Sequence, residues 1–351
     1  ECTVLPGLID SHVHLTLSGT ADAAVRQKQL GRTRDEAMPV IHAHLAQSLC
    51  CGVTAVRDGG DAASHTLDYV VDPSRHILPV RVRASGRAWR ARGRYGRIIG
   101  RPPLEGLSLA QSIASDPSPQ HHVKIVNSGV NSLKEFGKET RPQFSSSELD
   151  AAVQAARRKG LKTMVHANGT EPVRGAVDAG ATSIEHGFFM GKENLERMAE
   201  LQVFWVPTAV TMKAYARELS QEGDAGAEIA RRILEHQMEQ MAYARRLGVP
   251  VAVGTDSGSL GVHHGQAVAE EMAILVDAGY TMEEAVCCAT ADASRLLGLR
   301  GETGQIKKGM EGTFVVVAGP PETLLRRMSR PEKVFVQGRL AASEGRVNPE
   351  V

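Results

Sequence analysis

Short runs of apolar, β-branched residues alternate with longer stretches whose apolar positions repeat at helical spacing, and the alternation continues to residue 300. The runs predict strands at 3–14, 53–57, 80–85, 122–127, 161–166, 182–186, 202–208 and 249–256. Helix starts are written between them. Thr33-Arg34-Asp35-Glu36 is a capping box opening a helix that runs to Cys51. Ser145-Ser146-Ser147-Glu148 opens another, with Leu149, Val153 and Ala156 on one face and Gly160 just past its end. Thr281-Met282-Glu283-Glu284 opens a third. Strand-then-helix units in series predict an α/β protein, a (β/α)8 TIM-type barrel rather than an open sheet. After residue 300 the texture changes: Gly301, Gly304, Gly309 and Gly312 punctuate the chain, and Thr313–Val317 and Lys333–Val336 read as strands. The expected division is a barrel over residues 1–300 and strands of a small β-domain over 301–351.

Composition narrows the class without fixing it. The 351 residues are 42% hydrophobic and 23% charged, enough for a sizeable core, and the formal charge of +1 gives no pull toward nucleic acid or an anionic membrane. No apolar run approaches the ~20 residues of a membrane span, and the opening residues lack the basic-then-apolar layout of a signal peptide. Cys2, Cys50, Cys51, Cys287 and Cys288 form no CxxC pair and are odd in number. Buried thiols in a reducing compartment, the cytoplasm, are expected. The expected partners are a small-molecule substrate and further copies of the chain, with neither nucleic acid nor membrane.

The chemistry sits at the ends of the strands. Ile9-Asp10-Ser11-His12-Val13-His14 ends the first, Val123-Lys124-Ile125-Val126 lies in the fourth, and Val165-His166, Ile184-Glu185-His186 and Gly254-Thr255-Asp256 end the fifth, sixth and eighth. Residues i and i+2 of a strand point the same way, so His12 and His14 share a face. Barrel enzymes carry their chemistry at the carboxyl ends of strands, where all six side chains could meet. Four imidazoles, a lysine and a carboxylate make a ligand set for two divalent metals; zinc, manganese, iron and cobalt all suit it. Lys124 lies in an apolar run, where an unpaired ammonium is costly. Either it meets a carboxylate or the rim, or CO₂ converts it to a carbamate, an anion able to bridge two metals.

With these motifs the chain resembles the amidohydrolase superfamily, in the binuclear-metal branch with a carboxylated lysine. "TVLPGLIDSHVHL", "VKIVNSG", "MVHANG", "SIEHG" and "GTDSG" resemble its motifs for strands one, four, five, six and eight, in order. "EEMAILVDAGYTMEEAVCCATADASRLLGL" resembles its closing helices, and "GQIKKGMEGTFVVVAG" its return to the small β-domain. The likeness is greatest to the imidazolonepropionase-like and Xaa-Pro dipeptidase-like group. It implies that His12, His14 and Asp256 hold the more buried metal, that His166 and His186 hold the other, and that carboxylated Lys124 and a hydroxide bridge them. Asp256 would be general base, then acid. The implied activity is hydrolysis of an amide bond, in a dipeptide or an N-acyl amino acid. The same chemistry would serve an ester, lactone, phosphotriester or cyclic amide, and a non-catalytic scaffold of the same fold stays open.

The chain departs from the family pattern in three places. It reaches the first motif almost at once, which implies that the amino-terminal half of the small β-sandwich is missing. Ala91-Arg92-Gly93-Arg94-Tyr95-Gly96 stands where many relatives have Gly-Gly-His. Thr313 replaces an acidic residue near the last strand. Residues 81–104 carry eight arginines and no acid, so Arg94 and Tyr95 are candidate substrate contacts. His65 and His263 are further candidates. Glu185 is expected to anchor the back of the sheet, and His42 and His44 read as structural.

Overall fold

The computed structural model describes residues 1–72, 74 and 78–348. Its strands are β1 (Cys2–Pro6), β2 (Leu8–Val13), β3 (Val53–Asp58), β4 (Arg81–Ala84), β5 (Ala88–Trp89), β6 (Gly100–Arg101), β7 (His122–Val126), β8 (Lys162–Ala167), β9 (Ser183–His186), β10 (Phe204–Val206), β11 (Phe314–Ala318), β12 (Lys333–Val336), β13 (Arg339–Ser343) and β14 (Arg346–Val347). The chain forms two compact units. One comprises Glu1–Asp58, Tyr69–Arg83 and Ala252–Val351; the other comprises Gly59–Asp68 and Ala84–Val251.

The first unit contains the parallel order β2-β3-β4 and an antiparallel sheet of order β1-β11-β12-β13-β14. The strand expected over 3–14 is therefore two strands in two sheets. Cys2–Pro6 pairs antiparallel with β11, Thr3 opposite Val317, and Leu8–Val13 pairs parallel with β3. The break falls at Gly7, where a Cβ would lie 2.8 Å from the Thr313 methyl and against the Thr54 side chain, so only glycine fits. Residues 2–6 thus belong with the small sheet, a correction to the boundary expected at residue 300. Arg81 ties β4 to the loop before β11, its guanidinium donating to Glu311 at 2.9 Å. The helix Arg34–Cys50 starts with both halves of the expected capping box and buries Ile41, Leu45 and Leu49. Its Pro39 lies in the second turn, where it has no N–H to give to the carbonyl four residues before.

The second unit is a six-stranded parallel sheet, β10-β9-β8-β7-β5-β6, with helices in its crossovers. The helix Ser146–Arg158 has the expected capping box and buries Leu149, Ala152, Val153 and Ala156. The strands are buried nearly throughout, as in a sheet covered on both faces, although β7, β8 and β9 carry polar side chains among the apolar ones. The arginine-rich stretch contributes two short strands that its composition did not reveal. Arg101 in β6 stacks over Trp89 at 4.5 Å and donates to buried Asp116 at 2.8 Å, so this arginine, like Arg81, is structural.

Residues 249–256 do not form the expected eighth strand. They make one isolated bridge, Trp205 with Val251, and the next residue, Ser257, bridges Val13. Pro250 has no N–H to give a ladder, and Asp256 has φ +57°, which ends extended geometry. Among the described residues, the parallel strands pair as sheets of three and six rather than as one closed ladder. No helix among them is long and apolar enough to cross a membrane, and all five cysteines are free thiols.

Candidate metal centre

In the first unit, His12, His14 and Asp256 are brought together. Alternation along β2 gives Asp10 and His12 the same face. Buried Asp10 accepts from the Thr255 backbone at 3.0 Å, from the Thr255 hydroxyl at 2.6 Å and from the His12 N–H at 3.3 Å. These bonds fix the residue before Asp256 against the histidine strand. The Asp256 N–H then donates to His12 O at 2.7 Å, and the His14 N–H to Ser257 O at 2.8 Å. Burial outweighs the hydrogen bonds at Asp10 and pushes its carboxyl up to about 7.

Ser259 donates to Asp256 Oδ2 at 2.8 Å, which leaves Oδ1 facing the imidazoles. Oδ1 lies 3.5 Å from His12 Nε2 and 3.3 Å from His14 Nε2. The three ligand atoms fall within 4.8 Å of one another. Such separations are long for hydrogen bonds, yet they match the edges spanned by ~2.1 Å bonds to a tetrahedral cation. Two imidazoles and a carboxylate are a donor set for a divalent metal, so the residues fit the ion.

In the second unit, Lys124, His166 and His186 lie on adjacent strands. Register places Lys124 beside Met164 and Val126 beside His166, so Lys124 and His166 share a face of the sheet. Lys124 is only 1% exposed. The His166 and His186 rings lie 4.6 Å apart at 68°. His186 is the register partner of Ala167, on the other face by alternation, but its φ of +67° breaks the alternation, and the ring meets His166. Glu185, expected behind the sheet, is instead the partner of His166 on the face that carries Lys124, fully buried and accepting from the Ser183 hydroxyl. His166 Nε2 bonds to Gly129 O at 3.0 Å, and His186 Nδ1 to the Thr208 hydroxyl at 2.7 Å. Left-handed backbone at His186, Thr208 (φ +50°) and Asp256 concentrates strain at candidate ligands and at the partner of one of them.

The candidate substrate contacts divide. The Tyr95 ring, 40% exposed, lies 5.5 Å from the His166 ring. Gly96, with φ +102°, presses against β7, and a Cβ there would lie 3.1 Å from the Val126 side chain. Gly96→Ala should therefore destabilise the protein by about 1–3 kcal/mol, read from denaturant midpoints, and shift Tyr95. Arg94 is exposed and donates to Arg141 O at 2.9 Å rather than toward the histidines. His65 is half-buried at the start of the helix His65–Val71, in a turn organised by Asp61. His263 is exposed and lines an 830 Å³ groove beside Cys50, Cys51 and His264.

Several residues here escaped the sequence reading. Asp10 could have been found, since it continues the alternation of His12 and His14. Arg57 and Asp58 could not, because they act on the backbone around His14 from a distant segment; His44, expected to be structural, reaches the same backbone together with His264. Arg57 Nε donates to Ser11 O at 2.7 Å, and Asp58 accepts from Leu15 N at 2.8 Å. His44 and His264 stack at 4.2 Å, and burial holds both imidazoles below their usual basicity.

Parallel strands followed by helices, with a His-His-Asp cluster where β2 ends, make an α/β protein with a candidate divalent-metal site. The amidohydrolase family model matches residues 3–341, and the chain belongs to that family. An uncharacterised protein of Mycobacterium tuberculosis is 28% identical over 350 residues, 96% of this chain and 84% of that one. Ochratoxinase of Aspergillus niger is 26% identical over 198 residues, 55% of this chain and 40% of the enzyme. Among solved structures, a Xaa-Pro dipeptidase with methionine bound in its active site superposes with a TM-score of 0.79 at 26% identity, covering 97% of this chain and 86% of that one. The protein is a hydrolytic enzyme acting on amide bonds, and its His-His-Asp cluster is a candidate divalent-metal site.

Proposed function

We propose that the enzyme cleaves the amide bond of a dipeptide or an N-acyl amino acid. In this reading His12, His14, Lys124, His166, His186 and Asp256 are the ligands of two divalent ions, and the fold is a (β/α)8 barrel. The observation that carries it is the Asp256 carboxylate oxygen, 3.5 and 3.3 Å from the Nε2 atoms of two buried imidazoles. The likeness to a Xaa-Pro dipeptidase and to ochratoxinase supports the amide bond.

A bound divalent ion would supply Lewis acidity and make water nucleophilic at neutral pH. The chain's own residues set the rest. With Nδ1 committed to Thr208, His186 offers Nε2 as ligand; with Nε2 committed to Gly129 O, His166 offers Nδ1. Lys124 serves as a CO₂-derived carbamate, which removes the cost of a buried ammonium. Asp256 accepts the proton of the attacking water and returns it to the leaving amine. Tyr95, beside His166, borders the substrate.

The test is a library of dipeptides and N-acyl amino acids offered to zinc- and manganese-loaded protein. Turnover of at least one member, lost on chelation and restored by metal, is expected. No hydrolysis of any amide, or full activity after complete metal removal, overturns the reading.

A further inference from the structure

Two buried imidazoles outside the ligand set hold the turn that follows His14. His44 comes from the helix Arg34–Cys50, and His264 from the segment leading into the helix Gln266–Asp277. They are 6% and 2% exposed and stack face to face, 4.2 Å apart at 19°. His44 Nδ1 donates to Leu15 O at 2.8 Å, and His264 Nε2 donates to Leu17 O at 2.9 Å. The turn itself closes through Leu17 N–H to His14 O at 3.0 Å. Its other side is pressed by Gly258, two residues after Asp256. A Cβ there would lie 2.8 Å from His14 O and 2.9 Å from Leu17 O.

The structure assigns His44 and His264 as positioning residues for the centre formed by His12, His14 and Asp256. The inference rests on the metal reading above. Each ring gives one N–H to one carbonyl of the turn, and the stack makes the two bonds depend on each other. A carbonyl left without its donor in this buried place would have to seek another partner. The turn would shift, and His14 Nε2 would move from its place 3.3 Å from Asp256. Groups that orient ligands in this way change metal affinity about 10–100-fold when removed.

The test uses the full-length protein and zinc alone, with affinity read by chelator competition and geometry by the visible spectrum of the cobalt-substituted form. His44→Leu and His264→Leu remove the donors and keep a buried apolar side chain. His44→Asn and His264→Gln place an amide N–H near Nδ1 and Nε2 respectively. The leucine variants should bind zinc at least about tenfold more weakly and show an altered cobalt spectrum, while the amide variants stay within about threefold of wild type. Folded leucine variants with wild-type zinc affinity overturn the assignment. So do amide variants that lose as much affinity as the leucine variants. Should a leucine variant fail to fold, the amide variants decide alone: wild-type affinity supports the assignment, and a tenfold loss overturns it. A wild-type protein that binds no zinc overturns the metal reading, and this inference with it.

Discussion

Asp256→Asn should lower turnover by about 10²–10⁴-fold while leaving the melting temperature nearly unchanged. The substitution keeps the side-chain volume and leaves an oxygen to accept from Ser259. It removes the negative charge between the two imidazoles and the capacity to take up a proton. The backbone that holds residue 256 is anchored from outside the side chain, by Asp10 on Thr255 and by His12 O on the Asp256 N–H. Stability should therefore survive a change that stops the chemistry. The decisive comparison is kcat at saturating metal beside a thermal melt of the same preparation. Unchanged kcat would remove Asp256 as proton carrier, and a collapse of the melt would give it a structural role instead.

Lys124→Ala should lower bound metal and activity together, with partial recovery in millimolar formate, acetate or propionate. The side chain is 1% exposed within the apolar strand β7. A bridging anion at this place can be replaced by a small carboxylate that enters the space the lysine leaves. A lysine paired with a buried carboxylate behaves differently. Its loss leaves an uncompensated charge, costs about 3–5 kcal/mol and is not relieved by added acids. Metal content and activity titrated against carboxylate concentration separate the two. Undiminished metal with no rescue would end the bridging role; lost stability with no rescue would point to an ion pair, with Glu185 on the same sheet face as the first carboxylate to examine.

Periodicity carried the architecture further than it carried the connections. The three capping boxes lie where Thr33, Ser145 and Thr281 announce them, because the signal is local and repeated. Strands in the interior of the sheet were legible for the same reason. The segment 249–256 misled because its apolar run suits a strand, while Pro250 and the left-handed Asp256 deny it a ladder. The segment 3–14 misled because nothing in its alternation marks the change of sheet at Gly7; that requirement comes from Thr54 and Thr313, far along the chain. In the candidate site, residue types at strand ends pointed to His12, His14 and Asp256. The face of Glu185 could not be read, since the left-handed turn at His186 breaks the period on which the reading depends.

The strand that bears His12 is joined to the small antiparallel sheet through a single glycine, with no slack between Pro6 and Leu8. A linker of one residue transmits displacement instead of absorbing it. Fraying of the sheet edge at Cys2–Pro6 would draw directly on β2 and disturb the ligands before any global unfolding. Mild heat should therefore silence the enzyme while most of its helices are still intact, as activity followed beside far-UV circular dichroism would show.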